Sequence, residues 1–537
     1  MAALFAGALA VLCLSGGPYV STDRNGFFVA ANNDSYHYIK LLSDYLKSGT
    51  ISSPLDANSK TFLPVITALI IRITGADAHA VAAHISSVFL SLCVIPAYLF
   101  TAKRSSRIGG AVAALAAALA PFLVSRSLPG SFDTDAITAL LSLSAVTLAL
   151  ECAEAGTKKS RLLYGLFAAG FLFLLFFTWA RWYFYAVLAA GVLILAFLLD
   201  PSTSWRARVL TVTVLILLVI CAFPKIKDYA VGMSSYINKE YNPWEPEMPN
   251  PFAAVSELEQ LSFRPLVVYG GGLWYFICVI LGIVLLLTER KKTGLITALT
   301  LPAWFAVTAV LSAFAVRFVA LASLPAALLS GFFAGLLPGK LCGGSFSEDK
   351  RAKIVTACLS VFLGITVLFG PVIYSFQSVK QSASDRFVSE DMSDACVFLR
   401  DKTPKDSVLV SWWDYGYFYR YASEREPLTD GGYRTGYGYL DMTIARGLME
   451  PDSKKAAEYF REALGQYAER PAYLIISADM PAKAEAIRYY ADWKRPDAEK
   501  SENTENALMF RLFREKTDVQ HVFEPVFDSD SVKIYRF

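Results

Sequence analysis

The chain has 537 residues, 55% of them hydrophobic, with 50 Lys and Arg against 47 Asp and Glu and a formal net charge of +3. So apolar a composition, with long uncharged runs recurring as far as Phe376, excludes an ordinary soluble globule and points to a polytopic membrane protein. So small a net charge leaves no electrostatic footprint for nucleic acid. The four histidines (His37, His79, His84 and His521) form no ligand spacing, so a bound metal would rest on carboxylates. There is no CxxC, and Cys396 alone falls beyond residue 376, so that part has no internal disulfide.

In chain order, about eleven candidate spans follow from hydropathy and length. They cover 2–16, 79–101, 108–125, 136–153, 162–178, 182–199, 207–223, 266–288, 294–313, 318–337 and 353–375. The first is short and lacks a basic start, which favours a membrane helix over a signal peptide. Basic residues follow each even-numbered span: Lys103, Arg104 and Arg107; Lys158, Lys159 and Arg161; Arg206 and Arg208; Arg290, Lys291 and Lys292; then Lys340, Lys350, Arg351 and Lys353. The positive-inside rule puts these loops in the cytoplasm. Loops 17–78, 126–135, 224–265 and 314–317 then face outward, and an odd number of spans leaves the C-terminal part outside as well. The expected organisation is a membrane domain over 1–375, with large outer loops at 17–78 and 224–265, and an outer α/β domain over 376–537.

Three outward loops carry acids beside a membrane boundary: Asn33-Asp34-Ser35-Tyr36, Gly130-Ser131-Phe132-Asp133-Thr134-Asp135 and Ala254-Val255-Ser256-Glu257. Each acid taken alone is open to a plain reading, as a helix N-cap or a solvated loop acid. Together they form a set of hard oxygen ligands suited to Mg²⁺ or Mn²⁺, which a membrane enzyme can use to polarise a diphosphate leaving group. Arg317, in an otherwise apolar run, either snorkels to the interface or meets an anion such as a phosphate.

Beyond 376, strands are expected at 407–413, 472–477, 509–514 and 532–537, and helices at 391–400, 453–466 and 482–493, an alternation that suggests an open α/β sheet. Trp412-Trp413-Asp414 then lies just past the carboxyl end of a strand, where such sheets place sites. Two tryptophans there are either a membrane-interface anchor or the wall of a pocket in which Asp414 accepts a hydrogen bond from a hydroxyl. A pocket of that kind rejects analogues without the hydroxyl, because its buried acceptor would be left unpaired.

Trp412-Trp413-Asp414-Tyr415-Gly416 resembles the WWDYG motif of the catalytic subunit of oligosaccharyltransferase, in the form of a bacterial, single-subunit enzyme. Asn33-Asp34, Asp133-Thr134-Asp135, Ala254-Val255-Ser256-Glu257, Arg317 and Asp430-Gly431-Gly432 resemble further family motifs in the same order, so the similarity spans almost the whole chain. The resemblance implies a GT-C fold and inverting, en bloc transfer of an oligosaccharide from a polyprenyl diphosphate to the Asn side chain of Asn-x-Ser/Thr. It implies that Asp34, Asp133, Asp135 and Glu257 hold Mn²⁺ or Mg²⁺, with Asp34 and Glu257 also touching the acceptor amide. Arg317 would meet the donor diphosphate, and Trp412, Trp413, Asp414, Tyr415 and Ile487 the acceptor Ser or Thr. It further implies a bacterial inner membrane, a periplasmic soluble domain, and no partners beyond the lipid-linked donor, the acceptor protein and membrane lipid. Two departures stand out: family members have about thirteen spans, and Ala484 occupies the place of a family Met in Met480-Pro481-Ala482-Lys483-Ala484-Glu485-Ala486-Ile487. The competing readings are another GT-C polyprenyl-dependent transferase, which would lack WWDYG, and a transporter with an outer sensory domain, which would place its polar residues at mid-span.

Overall fold

The computed structural model describes residues 1–14, 21–49, 61–217, 220, 238, 242, 245–255, 262–342, 350–384, 387–432, 437–495, 506–514 and 521–537. The chain divides into two compact units. One comprises Met1–Tyr19, Leu41–Lys227 and Gln260–Asp385; the other comprises Val20–Lys40, Asp228–Glu259 and Arg386–Phe537.

The first is helical and apolar, and is called the membrane unit below. Among the described residues, six of its helices are long and apolar enough to cross a bilayer, including Asp135–Glu154, Lys158–Phe176, Leu295–Phe314 and the stretch Val316–Leu341. Shorter apolar helices cover Ala2–Cys13, Phe62–Thr74, Arg107–Ala118, Tyr183–Leu199 and Leu273–Thr288. Phe62–Thr74 lies in what the sequence presents as an outer loop, where its 13 residues are too few to register as a span. Val319–Leu341 is the centre of the unit, its apolar window 72% buried. Small residues allow that: a Cβ on Gly109 would come within 2.6 Å of the Gly331 carbonyl, and Gly282 backs onto the carbonyl of Leu329. Such close backbone approach is how helices associate where lipid removes the hydrophobic drive. Lys158–Phe176 lies at the periphery, 11% buried, with Leu162, Leu166 and Phe173 exposed as a lipid-facing helix requires.

One end of this unit is tied by ion pairs. Lys103 meets Glu151 at 2.5 Å, Arg104 meets both Glu151 and Glu154, and Glu154 accepts from the backbone and side chain of Thr297 at 2.9 Å each. The carboxyl ends of Val94–Arg104 and Asp135–Glu154 are thereby joined to the start of Leu295–Phe314.

The second unit is built on a five-stranded sheet of order β2-β1-β3-β5-β4, with β1 Val408–Val410, β2 Glu426–Pro427, β3 Ala472–Ser477, β4 Glu524–Asp528 and β5 Val532–Arg536. β1 runs parallel to β2 and β3; β5 is antiparallel to β3 and β4. β1 and β3 are buried along their whole length, consistent with continuous apolar runs covered on both faces. Tyr437–Met449, Ser453–Leu464 and Ala484–Ala491 are the principal helices, and their buried Leu448, Phe460 and Ile487 share a core with Val410, Trp412 and Leu474. The expected strand at 509–514 is instead a helix, Leu508–Phe513. Leu508, Met509 and Leu512 are its buried residues, at i, i+1 and i+4, whereas a strand would bury alternate positions. The segments 20–40 and 228–259 belong to this sheet unit although both lie among the spans in sequence.

Candidate active site

In the membrane unit the loop before Asp135–Glu154 is pinned to the helix Ala78–Leu92. The Gly130 N–H donates to the Ala83 carbonyl at 2.9 Å, and the Ser87 hydroxyl donates to the Ser127 carbonyl at 2.6 Å. Gly130 has φ +91°, which favours glycine there. The loop presents Asp133 and Asp135 to one cation. Arg126 donates through Nη2 to Asp133 at 3.0 Å and through Nε to Asp135 at 2.9 Å. The Asp133 carboxylate also accepts from the Thr134 N–H at 2.5 Å. Asp135 occupies the first helical position, where the helix N-terminus favours negative charge.

Asp135 and Arg317 line one open pocket, 182 residues apart in sequence. Arg317 sits in a single turn, Val316–Phe318, whose Val316 and Phe318 are buried. Trp179 and Arg181, in the short connection between Lys158–Phe176 and Tyr183–Leu199, line the same pocket. Hydropathy separates the spans 162–178 and 182–199 at this connection, but the signal overlooked is the one that singled out Arg317, a lone Arg in an apolar stretch.

In the sheet unit Trp412 follows β1 by two residues, and Trp413–Tyr415 form a single 3₁₀ turn. The Ser411 hydroxyl ties this end of β1 to the Ile475 carbonyl of β3 at 3.0 Å. Trp412 is a core residue, 2% exposed, edge-on to Tyr490 at 5.3 Å; Ile487 is wholly buried in the same core. Trp413 is only partly buried, yet its indole Nε1 is shielded from solvent without a hydrogen-bond partner among the described residues, so it is a donor available to a ligand. Asp414 and Asp479 share Lys483, each with an oxygen 2.6 Å from its Nζ. Tyr415 donates to Asp479 at 2.8 Å, and its ring faces the Lys483 ammonium at 4.6 Å. Burial pushes the Asp414 carboxyl above the usual range, with Lys483 opposing. Burial acts on Asp479 too, but Lys483, Ser477 and Tyr415 outweigh it and hold that carboxyl low. Burial alone would lower the Lys483 ammonium; the two acids outweigh it and raise it. Lys483 was not anticipated, because the helical motif drew attention to Ala484 instead.

Gly416 is required by contact. A Cβ there would overlap the Thr429 carbonyl and stand 2.6 Å from the Asp430 Cα. Asp430 is buried, paired with Arg420, and accepts from the Gly432 N–H at 2.8 Å. The next residue, Gly431, backs onto the Asn33 side chain and the Tyr417 ring. Asp34 begins the helix Asp34–Ser48, and that helix's first turns pack on the helix Gly416–Ala422: Tyr36 lies 4.8 Å from Phe418 and His37 5.0 Å from Tyr417, centroid to centroid. The first acidic motif and the tryptophan motif are therefore neighbours within one unit. Glu257 lies outside the described residues, and among the described residues no three of His, Cys, Asp and Glu gather closely enough to hold a metal ion.

Two family models match the chain: "Oligosaccharyl transferase STT3, N-terminal" over residues 19–242 and "STT3/PglB/AglB core domain" over 405–519. A dolichyl-phosphooligosaccharide-protein glycotransferase of Methanococcus voltae is 22% identical over 542 residues, 77% of this chain; the chain spans 59% of that relative's length. Among solved structures, the archaeal oligosaccharyltransferase AglB of Archaeoglobus fulgidus, in complex with an inhibitory peptide and a dolichol-phosphate, superposes with a TM-score of 0.71 at 15% identity, covering 92% of this chain and 71% of that one. The same A. fulgidus protein has been solved with Zn and sulfate (TM-score 0.67, 16% identity, 91% and 69% covered). It has also been solved tethered to an acceptor peptide containing an NVT sequon (TM-score 0.68, 15% identity, 92% and 71% covered). ArnT of Cupriavidus metallidurans bound to undecaprenyl phosphate gives a TM-score of 0.55 at 12% identity, covering 100% of this chain and 97% of that one.

Proposed function

Because the chain belongs to the STT3/PglB/AglB family and has the GT-C architecture, we propose that it transfers an oligosaccharide en bloc from a polyprenyl diphosphate to the side-chain amide of Asn in Asn-x-Ser/Thr. The observation that carries this reading is the pocket of the membrane unit, where Asp135 and Arg317, picked out separately from two distant loops, stand together. The runner-up, another GT-C transferase, is disfavoured by the two family matches and the lower ArnT superposition.

The chemistry follows from the residues. An amide nitrogen is a poor nucleophile because its lone pair is delocalised into the carbonyl. Asp34 and Glu257 bind its N–H groups, twist the amide out of conjugation and receive its proton. The nitrogen bonds to the anomeric carbon from the face opposite the leaving group, which inverts that centre, and the C–O electron pair leaves with the diphosphate. Arg317 meets the charge that grows there. Trp413 and Asp414 read the Ser or Thr hydroxyl, while Trp412, Ile487 and Tyr415 hold those two in place. Asp34, Asp133, Asp135 and Glu257 are the residues that would hold Mn²⁺ or Mg²⁺; an all-carboxylate set suits a hard cation, and the Zn and sulfate bound by the A. fulgidus relative support a divalent ion. Such an ion supplies Lewis-acid stabilisation of the leaving diphosphate.

Partners in this reading are the lipid-linked donor, acceptor proteins and membrane lipid, with the chain acting as a single subunit. The sheet unit works on the non-cytoplasmic side; a bacterial inner membrane with a periplasmic sheet unit was expected from the size of the soluble part, and the curated relatives matched are archaeal. Purified protein given a fluorescent Asn-x-Thr peptide, Mn²⁺ and either a dolichyl- or an undecaprenyl-linked oligosaccharide should yield a slower-migrating glycopeptide, and a chelator should stop the reaction. Absence of transfer from every donor tried overturns the reading.

A further inference from the structure

We propose that Arg181 is a second phosphate-binding residue of the membrane unit, which with Arg317 takes the two phosphates of a lipid diphosphate; this rests on the reading that the donor is one. Arg181 is the only Lys or Arg between Arg161 and Arg206. It stands past the carboxyl end of Lys158–Phe176, about 28 Å of helix from Lys158. That end is opposite the one where Lys103, Arg104, Glu151 and Glu154 are tied together, because Asp135 and Glu154 are the two ends of a single helix. A basic residue there runs against the positive-inside trend. Arg126, near the same end, is already engaged by Asp133 and Asp135. The Arg181 side chain has no ion pair or hydrogen bond among the described residues, and it lines the pocket with Arg317.

The connection that carries Arg181 is held firmly. The Trp179 N–H donates to the Leu175 carbonyl at 2.9 Å, Trp179 lies 6.0 Å from Tyr185, and Trp182 lies 5.3 Å edge-on to Phe176. A diphosphate esterified on both phosphates carries one negative charge on each, and a guanidinium fork suits each. The remaining wall, with Leu123, Phe318 and Leu324, suits the first prenyl units. A guanidinium that merely snorkels to the interface would not distinguish one phosphate from two.

The test is binding of farnesyl diphosphate, farnesyl monophosphate and inorganic pyrophosphate to the full-length protein in detergent micelles. The wild type should prefer farnesyl diphosphate to the monophosphate by about tenfold or more. Arg181→Gln should lose most of that preference, Arg181→Lys should regain part of it, and the KM for an Asn-x-Thr peptide should be unchanged in both. An unaltered preference in Arg181→Gln overturns the proposal while leaving the donor reading intact, and an equal loss of peptide affinity reassigns Arg181 to a structural role. Inorganic pyrophosphate competing as well as farnesyl diphosphate would mean the pocket reads a free anion rather than a lipid. Failure of the wild type to bind either farnesyl compound sinks the donor reading itself.

Discussion

Each unit carries the same device in a different form: two carboxylates sharing one cation. In the membrane unit Arg126 gives separate hydrogen bonds to Asp133 and Asp135 from two arms of a rigid fork. In the sheet unit Lys483 sits 2.6 Å from both Asp414 and Asp479. A guanidinium is permanently charged and directional, whereas an ammonium on a four-carbon stem is a movable point charge. The fork therefore fixes the spacing of the two acids, which in the proposed reaction must hold their places while charge develops. In the proposed reaction the lysine would instead let Asp414 exchange its partner for an incoming hydroxyl, with Asp479 keeping the ammonium nearby.

The largest expected effect separates the two pairs by kinetics. Asp133→Asn should lower kcat for transfer by about 100-fold or more, the cost of losing transition-state charge stabilisation, with little change in peptide KM. Asp414→Asn should instead raise the peptide KM and narrow the gap between Asn-x-Thr and Asn-x-Ala substrates. Two variants with the same kinetic signature would collapse the distinction. A smaller effect sharpens it. Asp414 titrates above an ordinary carboxyl because it is buried, and Lys483 restrains that rise. Removing the ammonium in Lys483→Met should raise it further, so peptide binding that needs the ionised form should fail at a higher pH than in the wild type as pH decreases. An acid limb that stays in place, measured as KM against pH, would show that Asp414 is not read in its ionised form. The smallest effect concerns support: Gly416→Ala should lower stability by roughly 1–3 kcal/mol through overpacking against Thr429 and Asp430, visible as a lower Tm.

Much of this was legible in the sequence because spans advertise themselves. Most of the expected spans fall on helix in their described part, since some twenty apolar residues have few alternatives, although 108–125 is broken at Leu119–Ala120 and 266–288 at Gly270–Gly272. Trp412-Trp413-Asp414 does lie past a strand, but that strand, Val408–Val410, ends three residues short of the expected 413, because a turn begins at Trp413. What escaped had weaker local signals. Lys483 matters only through β1 and β3 lying side by side, which brings Asp414 to within reach of a residue 69 positions away. Arg181 hid in a connection too short to register as a loop. Residues 508–513 are six apolar-rich positions whose state is decided by the core they cover rather than by their own pattern.

The absent side chain at Gly416 has a mechanical consequence. It lets the turn that bears Trp413 and Asp414 rest directly on the backbone of Thr429 and Asp430, and Gly431, one residue on, rests on Asn33 beside Asp34. Those contacts are backbone against backbone, and backbone against the short Asn33 amide and the rigid Tyr417 ring, with no flexible side chain to absorb a displacement. In the proposed reaction, a peptide that presses on the tryptophan turn would push a short strut whose far end is the residue beside the first acid, so that seating the acceptor and setting that acid's position would be one movement.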